Sequence, residues 1–300
     1  MAKLPSLTAI RAFEATARTG TIRAAARELN VVHGAVGQQI RALEDILGRP
    51  LFRRVGRGLE LTPQGENYAR AIRSAFDIIE RATLDLGSAH GTQPFRLGMR
   101  EAFAAYWFMP RYRRFLEAGI GLDLEIIEMP RTAMNVYGTG LDGLIVGGDY
   151  VPHHESTSYH FMEGRFGPVA SAELFAGRSP PQPIEVLQEM RAIWNVANDH
   201  LWPEWFYETG YPAVRFGSTM VLASMSLVVE ALRDGMGVGL MPLPHIASDL
   251  KSGRLVAPFG MHLRQGGYLL SCSRQWAGRR ETLRFVEWLK AEGVETNSDY

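Results

Sequence analysis

The chain has 300 residues, 46% hydrophobic and 21% charged, with a formal net charge of zero, a balance that suits two or three packed domains and excludes a disordered or collagen-like chain. Its single cysteine, Cys272, leaves no partner for an internal disulfide or a cysteine-based metal site, and no apolar run approaches the roughly 18 residues needed to span a bilayer. The zero total conceals a polarity: residues 1–61 hold ten Lys/Arg against five Asp/Glu, a surplus of +5 that the rest of the chain cancels, and such a surplus suits either a solvated surface or a face that meets phosphate.

The first periodic stretch is "LTAIRAFEATARTG", in which Leu7, Ile10, Phe13 and Ala17 recur at spacings of three and four and Gly20 provides a stop; this predicts an amphipathic helix. Acids and bases interrupt the N-terminus where a signal peptide needs an unbroken apolar core, so the expected location is the cytoplasm, with no membrane partner. Thr21 offers an N-cap hydroxyl to "IRAAARELN", whose Ala24, Ala25 and Ala26 allow another helix to pack closely. After a turn at Asn30, Val31 and Val32, a third helix runs to Leu47, with Val36, Ile40, Leu43 and Leu47 on one face, Gln38, Gln39 and Arg41 largely on another, and Gly48 closing it. Helix, short turn, helix is the helix-turn-helix arrangement, whose last helix lies in the major groove of DNA. "LFRRVGRGLELT" then gives two short extended pieces around Gly56 and Gly58, a β-hairpin wing with Arg53, Arg54 and Arg57 at its turn. Guanidinium groups there suit phosphates or the narrow minor groove.

These segments, "TIRAAARELNVVHGAVGQQIRALEDILGRPLFRR" followed by "LELTPQG", resemble the winged helix-turn-helix of the LysR-type transcriptional regulators. Ala25, Ala26, Leu29, Ala35, Val36, Gln39, Ile40, Leu43, Glu44, Leu47, Gly48, Leu51, Phe52, Arg54, Leu61, Thr62 and Gly65 occupy positions that the family pattern asks for. The resemblance implies an all-α winged helix-turn-helix domain over residues 1–61, a dimerising linker helix over 62–89, a hinge at 90–94, and an α/β effector domain over 95–300. That last domain is expected to be two-lobed and periplasmic-binding-protein-like, with lobe I over 95–165 and 266–300 and lobe II over 166–265. It also implies a sequence-specific transcription regulator that reads an inverted-repeat operator in double-stranded DNA as a homodimer or homotetramer. Such a protein is not an enzyme, needs no cofactor, answers to a small-molecule effector between its lobes and, if an activator, engages RNA polymerase. The alternative is a small-molecule sensor whose DNA domain has become a protein-interaction module.

Where the family usually has Ser/Thr-Gln-Ser/Pro/Ala-Ala-Val-Ser, this chain has Val32-His33-Gly34-Ala35-Val36-Gly37. A glutamine at position 33 would pair bidentately with adenine, whereas His33 offers one donor or acceptor per ring nitrogen. Gly37 lacks a phosphate-binding hydroxyl, and each glycine inside a helix costs about 1 kcal/mol relative to alanine. Gln38, Gln39, Arg41 and the wing arginines keep base-reading and phosphate-neutralising chemistry, so changed specificity is expected rather than lost function. The expected DNA contacts are Thr21, His33, Gly34, Ala35, Gly37, Gln38, Arg41, Arg53, Arg54 and Arg57.

Further along, Tyr68, Ile72, Ala75, Ile79, Ala82 and Leu86 are spaced 4, 3, 4, 3 and 4, a heptad seam that suits either a dimer contact or a helix packed on its own domain. It lies between the basic segment and "GSAHGTQP", which reads as a hinge, so the dimer contact is favoured. From Phe95 strands and helices alternate: "FRLGM" extended, "AYWFMPRYRRFLEAG" helical, "LDLEIIEM" extended, "LDGLIVGG" a buried strand. "GPVASAEL", "AIWNVAN" and "STMVLAS", the helix "SLVVEALRDGMG" and the buried strand "VGLMPLP" continue the theme. In the family's architecture the chain crosses between lobes near Arg165 to Gly167 and near His262 to Gly266. "WPEWFYETG" followed by "LVVEALRDGMGVGLMP" resembles the subgroup containing the glycine-cleavage activator and the β-lactamase regulators.

"GMGVG" follows a helix and enters a strand, the reverse of a dinucleotide fingerprint. His153, His154 and His160 lack a fourth ligand at sensible spacing for a metal, and neither a serine-nucleophile elbow nor a convincing carboxylate pair is present, so no catalytic or metal site is assigned. An effector is expected where strand ends and helix N-termini meet between the lobes: Arg100, Glu101, Ala102, Phe103, Met129 and Arg131 on one side, Ser224, Met225 and Ser226 on the other. Many relatives carry a hydroxyl near Ala102. Its absence here, beside the opposite charges of Arg100 and Glu101, departs from a simple carboxylate or peptide site.

Overall fold

Small and apolar residues at helical spacing build the N-terminal unit. In the computed structural model, which describes residues 4–55, 58–87, 94–129, 136, 139–148, 150, 153–176, 182–196 and 200–298, α1 (Leu7–Thr19) buries Ile10, Phe13 and Thr16 and ends where Gly20 takes a left-handed φ of 74°. Thr21 caps α2 (Ile22–Glu28), its hydroxyl accepting the N–H of Ala24 at 3.1 Å. Asn30, at φ 54°, makes the turn into α3 (His33–Leu47), a conformation that asparagine tolerates better than most residues. Val36, Ile40 and Leu43 face inward, against the α2 alanines and Phe13.

Glu44, near the end of α3, accepts the backbone N–H groups of Leu51 at 2.7 Å and Phe52 at 3.1 Å. One carboxylate thereby fixes the start of β1 (Phe52–Val55), which pairs antiparallel with β2 (Gly58–Leu61). The Thr62 hydroxyl donates to the Pro50 carbonyl at 2.9 Å and accepts from the Gly65 N–H at 3.0 Å, capping α4 (Pro63–Gly87). A Cβ at Gly65 would stand 2.1 Å from the Leu51 carbonyl oxygen, so this contact between helix and loop admits only glycine. Tyr68, Ile72 and Phe76 of α4 pack on the core formed by Phe13, Leu43 and Leu51.

A second compact unit follows, the division falling between residues 92 and 93. Its elements are β3 (Phe95–Met99), α5 (Glu101–Phe103), α6 (Tyr112–Glu117), β4 (Leu124–Glu128), β5 (Gly143–Gly147), β6 (Ser156–Ser171), β7 (Arg191–Asn195), α7 (Leu201–Thr209), β8 (Ser218–Leu222), α8 (Met225–Arg233), β9 (Val238–Pro242), α9 (Leu243–Lys251), β10 (Leu255–Val256), β11 (His262–Ser273), α10 (Arg274–Ala277) and α11 (Arg280–Asn297). The single helix expected over "AYWFMPRYRRFLEAG" is broken: a π-helical turn over Ala104–Phe108 and a 3-10 turn over Met109–Arg111 link α5 to α6. Pro110 is the physical reason, since it has no N–H to donate and its ring obstructs the preceding turn.

All nine strands from β3 to β11 join one sheet in the order β4-β3-β5-β11-β6-β9-β7-β8, with β10 on the edge of β6. The long antiparallel pair β6 and β11 forms its spine. On one side, β11 carries β5 from Tyr268 to Cys272; on the other, β6 leaves β11 at Phe166 and pairs with β9 as far as Ala170. Two parallel halves therefore hang from one pair of strands, each with its own core. Phe95, Trp107, Phe108 and Phe285 lead the first, and Trp202, Trp205, Ile193 and Leu232 occupy the second. No helix among the described residues is long and apolar enough to cross a membrane.

Candidate nucleic-acid interface and interlobe cleft

With one face of α3 spent on the core, its other face carries His33, Gly34, Gln38 and Arg41, all exposed. Gly34, Gln38 and Arg41 follow one another at spacings of four and three, so they form a single ridge. Arg41 and Arg54 have no ion pair or side-chain hydrogen bond among the described residues. Arg53 is different: its guanidinium is bonded to Glu60 across the hairpin at 2.9 Å, with both side chains largely exposed. Arg57 lies outside the described residues.

One expected contact needs correction. Gly37 is buried, and a Cβ there would meet Arg41 Nη1 at 3.8 Å and Ile22 Cδ1 at 3.9 Å; the folded-back arginine and the neighbouring helix cover it, so its backbone is not presented outward. Ala35 is half-buried, and Thr21 is exposed, its hydroxyl accepting the Ala24 N–H in the cap while its own hydrogen remains to be donated. Gly34, by contrast, faces open space.

On α4 the heptad seam divides. Tyr68 and Ile72 are spent on the chain's own N-terminal core, while Ala75 is exposed and Ile79 is 55% exposed, beside Ile78 at 37%. The side chains of Ala82 and Leu86 lie outside the described residues, as do residues 90–93 of the hinge expected over 90–94.

Within the second unit, the carboxyl ends of the parallel strands of both halves converge on a cavity of about 430 Å³, the position where open α/β sheets bind ligands. Arg100, Glu101, Ala102 and Phe103 after β3, Met129 after β4 and Met225 after β8 line it, as expected residues of the site. Arg131 lies outside the described residues. Ser224 and Ser226 do not line the cavity, because their hydroxyls serve the chain itself. Ser224 caps α8 by accepting the Leu227 N–H at 3.3 Å, and Ser226 donates to the Glu101 carboxylate, 2.6 Å from each oxygen.

Arg165, His245, Arg264 and Tyr268 are among the lining residues that were not anticipated from the sequence. Tyr268 stacks on Phe103 with ring centroids 5.2 Å apart, and burial pushes its phenol well above the usual range. Arg264 makes two hydrogen bonds to Glu204, at 2.9 and 3.1 Å, and lies over the Phe166 ring. Arg165 Nε and His245 Nδ1 are enclosed, with no hydrogen-bond partner among the described residues. Burial, with the Arg100 charge adding to it, pushes His245 down to about 4, so its imidazole is neutral near pH 7. A neutral ring nitrogen and an arginine N–H, both desolvated, are suited to a small molecule bearing carbonyl or acidic oxygens. The strand-end rule applied to "VGLMPLPH" and the glycine pair in "HLRQGGYLL" are the signals that would have found His245 and Tyr268.

The thiol of Cys272 is buried and pushed up to about 12, which makes it inert. Among the described residues no group of three or more His, Cys, Asp or Glu could hold a metal ion.

Comparison with known proteins gives two family matches: the bacterial regulatory helix-turn-helix protein, lysR family, over residues 7–66, and the LysR substrate binding domain over residues 88–293. The chain is 33% identical over 259 residues to the HTH-type transcriptional regulator TrpI of Pseudomonas aeruginosa, covering 86% of this chain and 87% of that one. It is 29% identical over 303 residues to the glycine cleavage system transcriptional activator of Escherichia coli, covering 97% and 95%. Among solved structures, ArgP from Mycobacterium tuberculosis shares the fold with a TM-score of 0.64 at 20% identity, covering 97% of this chain and 98% of that one.

Proposed function

The chain belongs to the LysR family of bacterial transcription regulators, which joins a helix-turn-helix to an effector-binding domain, and from that premise we propose how its own residues divide the work. His33, Gly34, Gln38 and Arg41 on α3 read the major groove, while Arg54 of the hairpin holds phosphate or the adjacent minor groove. Ala75, Ile78 and Ile79 on α4 form the dimer seam, so that two readers meet an inverted repeat. The domain limits follow: residues 1–61 read DNA, 62–89 link, 90–94 bend, and 95–300 sense the effector, with lobes meeting along β6 and β11. The protein works in the cytoplasm, by binding rather than by turnover.

The cleft walled by Arg100, Phe103, Arg165, His245 and Tyr268 takes the effector. Its occupancy shifts the balance between two arrangements of the dimer or tetramer on DNA, because a ligand moves an equilibrium only by its differential affinity for the two states. What carries the DNA half of this reading is the ridge Gly34, Gln38, Arg41 on α3, exposed and, among the described residues, without an acid partner for its arginine.

The test is capture of genomic fragments on the purified full-length protein, with affinity for an enriched duplex then followed against salt. An enriched inverted repeat, with log K falling linearly as log salt rises, is the expected result. No enriched motif together with salt-independent binding would overturn it.

A further inference from the structure

At the mouth of the cleft, one residue from the first half of the sheet reaches the helix that opens the second. Glu101, the first residue of α5, places both carboxylate oxygens 2.6 Å from the Ser226 hydroxyl, in the first turn of α8. The first N–H groups of a helix concentrate partial positive charge, so an anion is favoured there. A second contact runs beside the first. Tyr106 packs on the core of the opposite half, its hydroxyl within 3.5 Å of the Ser226 carbonyl and of Glu230. Arg233 lies over the Tyr106 ring at 5.3 Å and is itself held by Asp249 at 2.8 and 3.0 Å and by Glu230 at 2.6 Å.

We propose that Glu101 is a built-in carboxylate that latches the two walls of the cleft through Ser226 and reserves that end of the cleft against a ligand's own acid group. Two consequences follow from charge and geometry. The latch, braced by Tyr106 against α8, sets how far the two halves gape. A ligand acid brought to the same end would face the Glu101 charge, so the acid is directed to Arg165 and His245, and a donor such as an ammonium or amide N–H is what the Glu101 end accepts. Glu101 acts here as a positioning and selectivity residue. The assignment rests on this cavity being the effector cleft, whereas its test needs no effector, so the two fail separately.

The test uses the full-length chain with spin labels on Glu117→Cys and Glu208→Cys, exposed positions of α6 and α7 on opposite halves; native Cys272 is buried. Distances between labels are read by double electron–electron resonance in the parent and in Glu101→Ala, Glu101→Gln and Ser226→Ala. The alanine variants should broaden toward longer separations, the open population rising about tenfold for one lost charge-assisted hydrogen bond, with Glu101→Gln in between. Acetate, filling the place of the missing carboxylate, should narrow the Glu101→Ala distribution again and leave Ser226→Ala unchanged, while chloride at equal ionic strength should alter neither variant. Distributions identical to the parent in both alanine variants would overturn the latch, and acetate without effect on Glu101→Ala would overturn the reserved anion position.

Discussion

On α3 and the hairpin, Arg41 and Arg54 have no internal partner among the described residues, whereas in the cleft Arg264 is held by Glu204 and Glu101 by Ser226. The two regions face different kinds of partner. A duplex offers a repeating row of phosphates, and solvated cations that have released no internal ion pair bind it most cheaply, through counterion release. A small ligand offers a few atoms, so the cleft must hold its groups dry and already oriented before the ligand comes, some tied to the chain and some, Arg165 Nε and His245 Nδ1, enclosed with no hydrogen-bond partner among the described residues.

The largest expected effect that sharpens this comparison is the cost of the dry site. Below about pH 6.5 the unfolded chain takes up a proton on His245 that the folded chain refuses until about pH 4. The unfolded state then binds more protons, so stability is lost as pH falls through that window and this contribution is flat above it. The shift corresponds to at most roughly 3 kcal/mol, less whatever solvent reaches the half-buried ring. Urea melts of the parent and of His245→Gln across the window should differ in slope, the variant being the flatter; parallel curves would place the imidazole in an ordinary, wet environment.

Next comes the wet site. Replacing both Arg41 and Arg54 by alanine should weaken duplex binding about 10- to 100-fold and lower the log K against log salt slope by about two. Arg53→Ala should do less, because Glu60 already competes for its guanidinium. Fluorescence anisotropy at several salt concentrations measures both, and an Arg53→Ala loss as large as that of Arg41→Ala would break the distinction between committed and uncommitted charges.

The smallest effect concerns the two glycines of α3. Neither has a positive φ, Gly34 faces open space, and a Cβ at Gly37 would make only ordinary contacts. Alanine at either position should therefore stabilise the chain by about 1 kcal/mol, read from denaturant midpoints. A loss of stability at Gly37 would mean that Ile22 and Arg41 leave no room there, and a loss of DNA affinity without a stability change at Gly34 would mark close backbone approach to the duplex.

Much of the N-terminal unit was legible because its determinants are local. Gly20 and Gly48 as helix stops, Thr21 as a cap and the inward row Val36, Ile40, Leu43 each act within one or two turns, and the structure places all of them as read. The seam on α4 was legible only as a period. That Tyr68 and Ile72 face Phe13 rather than a second chain depends on which part of α4 the three-helix core covers, and spacing alone carries no such information. The cleft was legible as a location, through strand ends, but its chemistry was read only in part. Ser224 and Ser226 were expected to meet a ligand and are occupied by a helix cap and by Glu101, 125 residues away.

By itself, then, the sequence determined the helix-turn-helix, the hairpin and the alternation of strands and helices, because caps, turns and periodicity act between residues a few positions apart. Tertiary structure alone decided which charges are free. The Arg264 bonds to Glu204 span 60 residues, and the enclosure of His245 beside Arg100 depends on strands from both halves of the sheet. Burial and ion pairing are set by neighbours in space, and a sequence lists only neighbours along the chain.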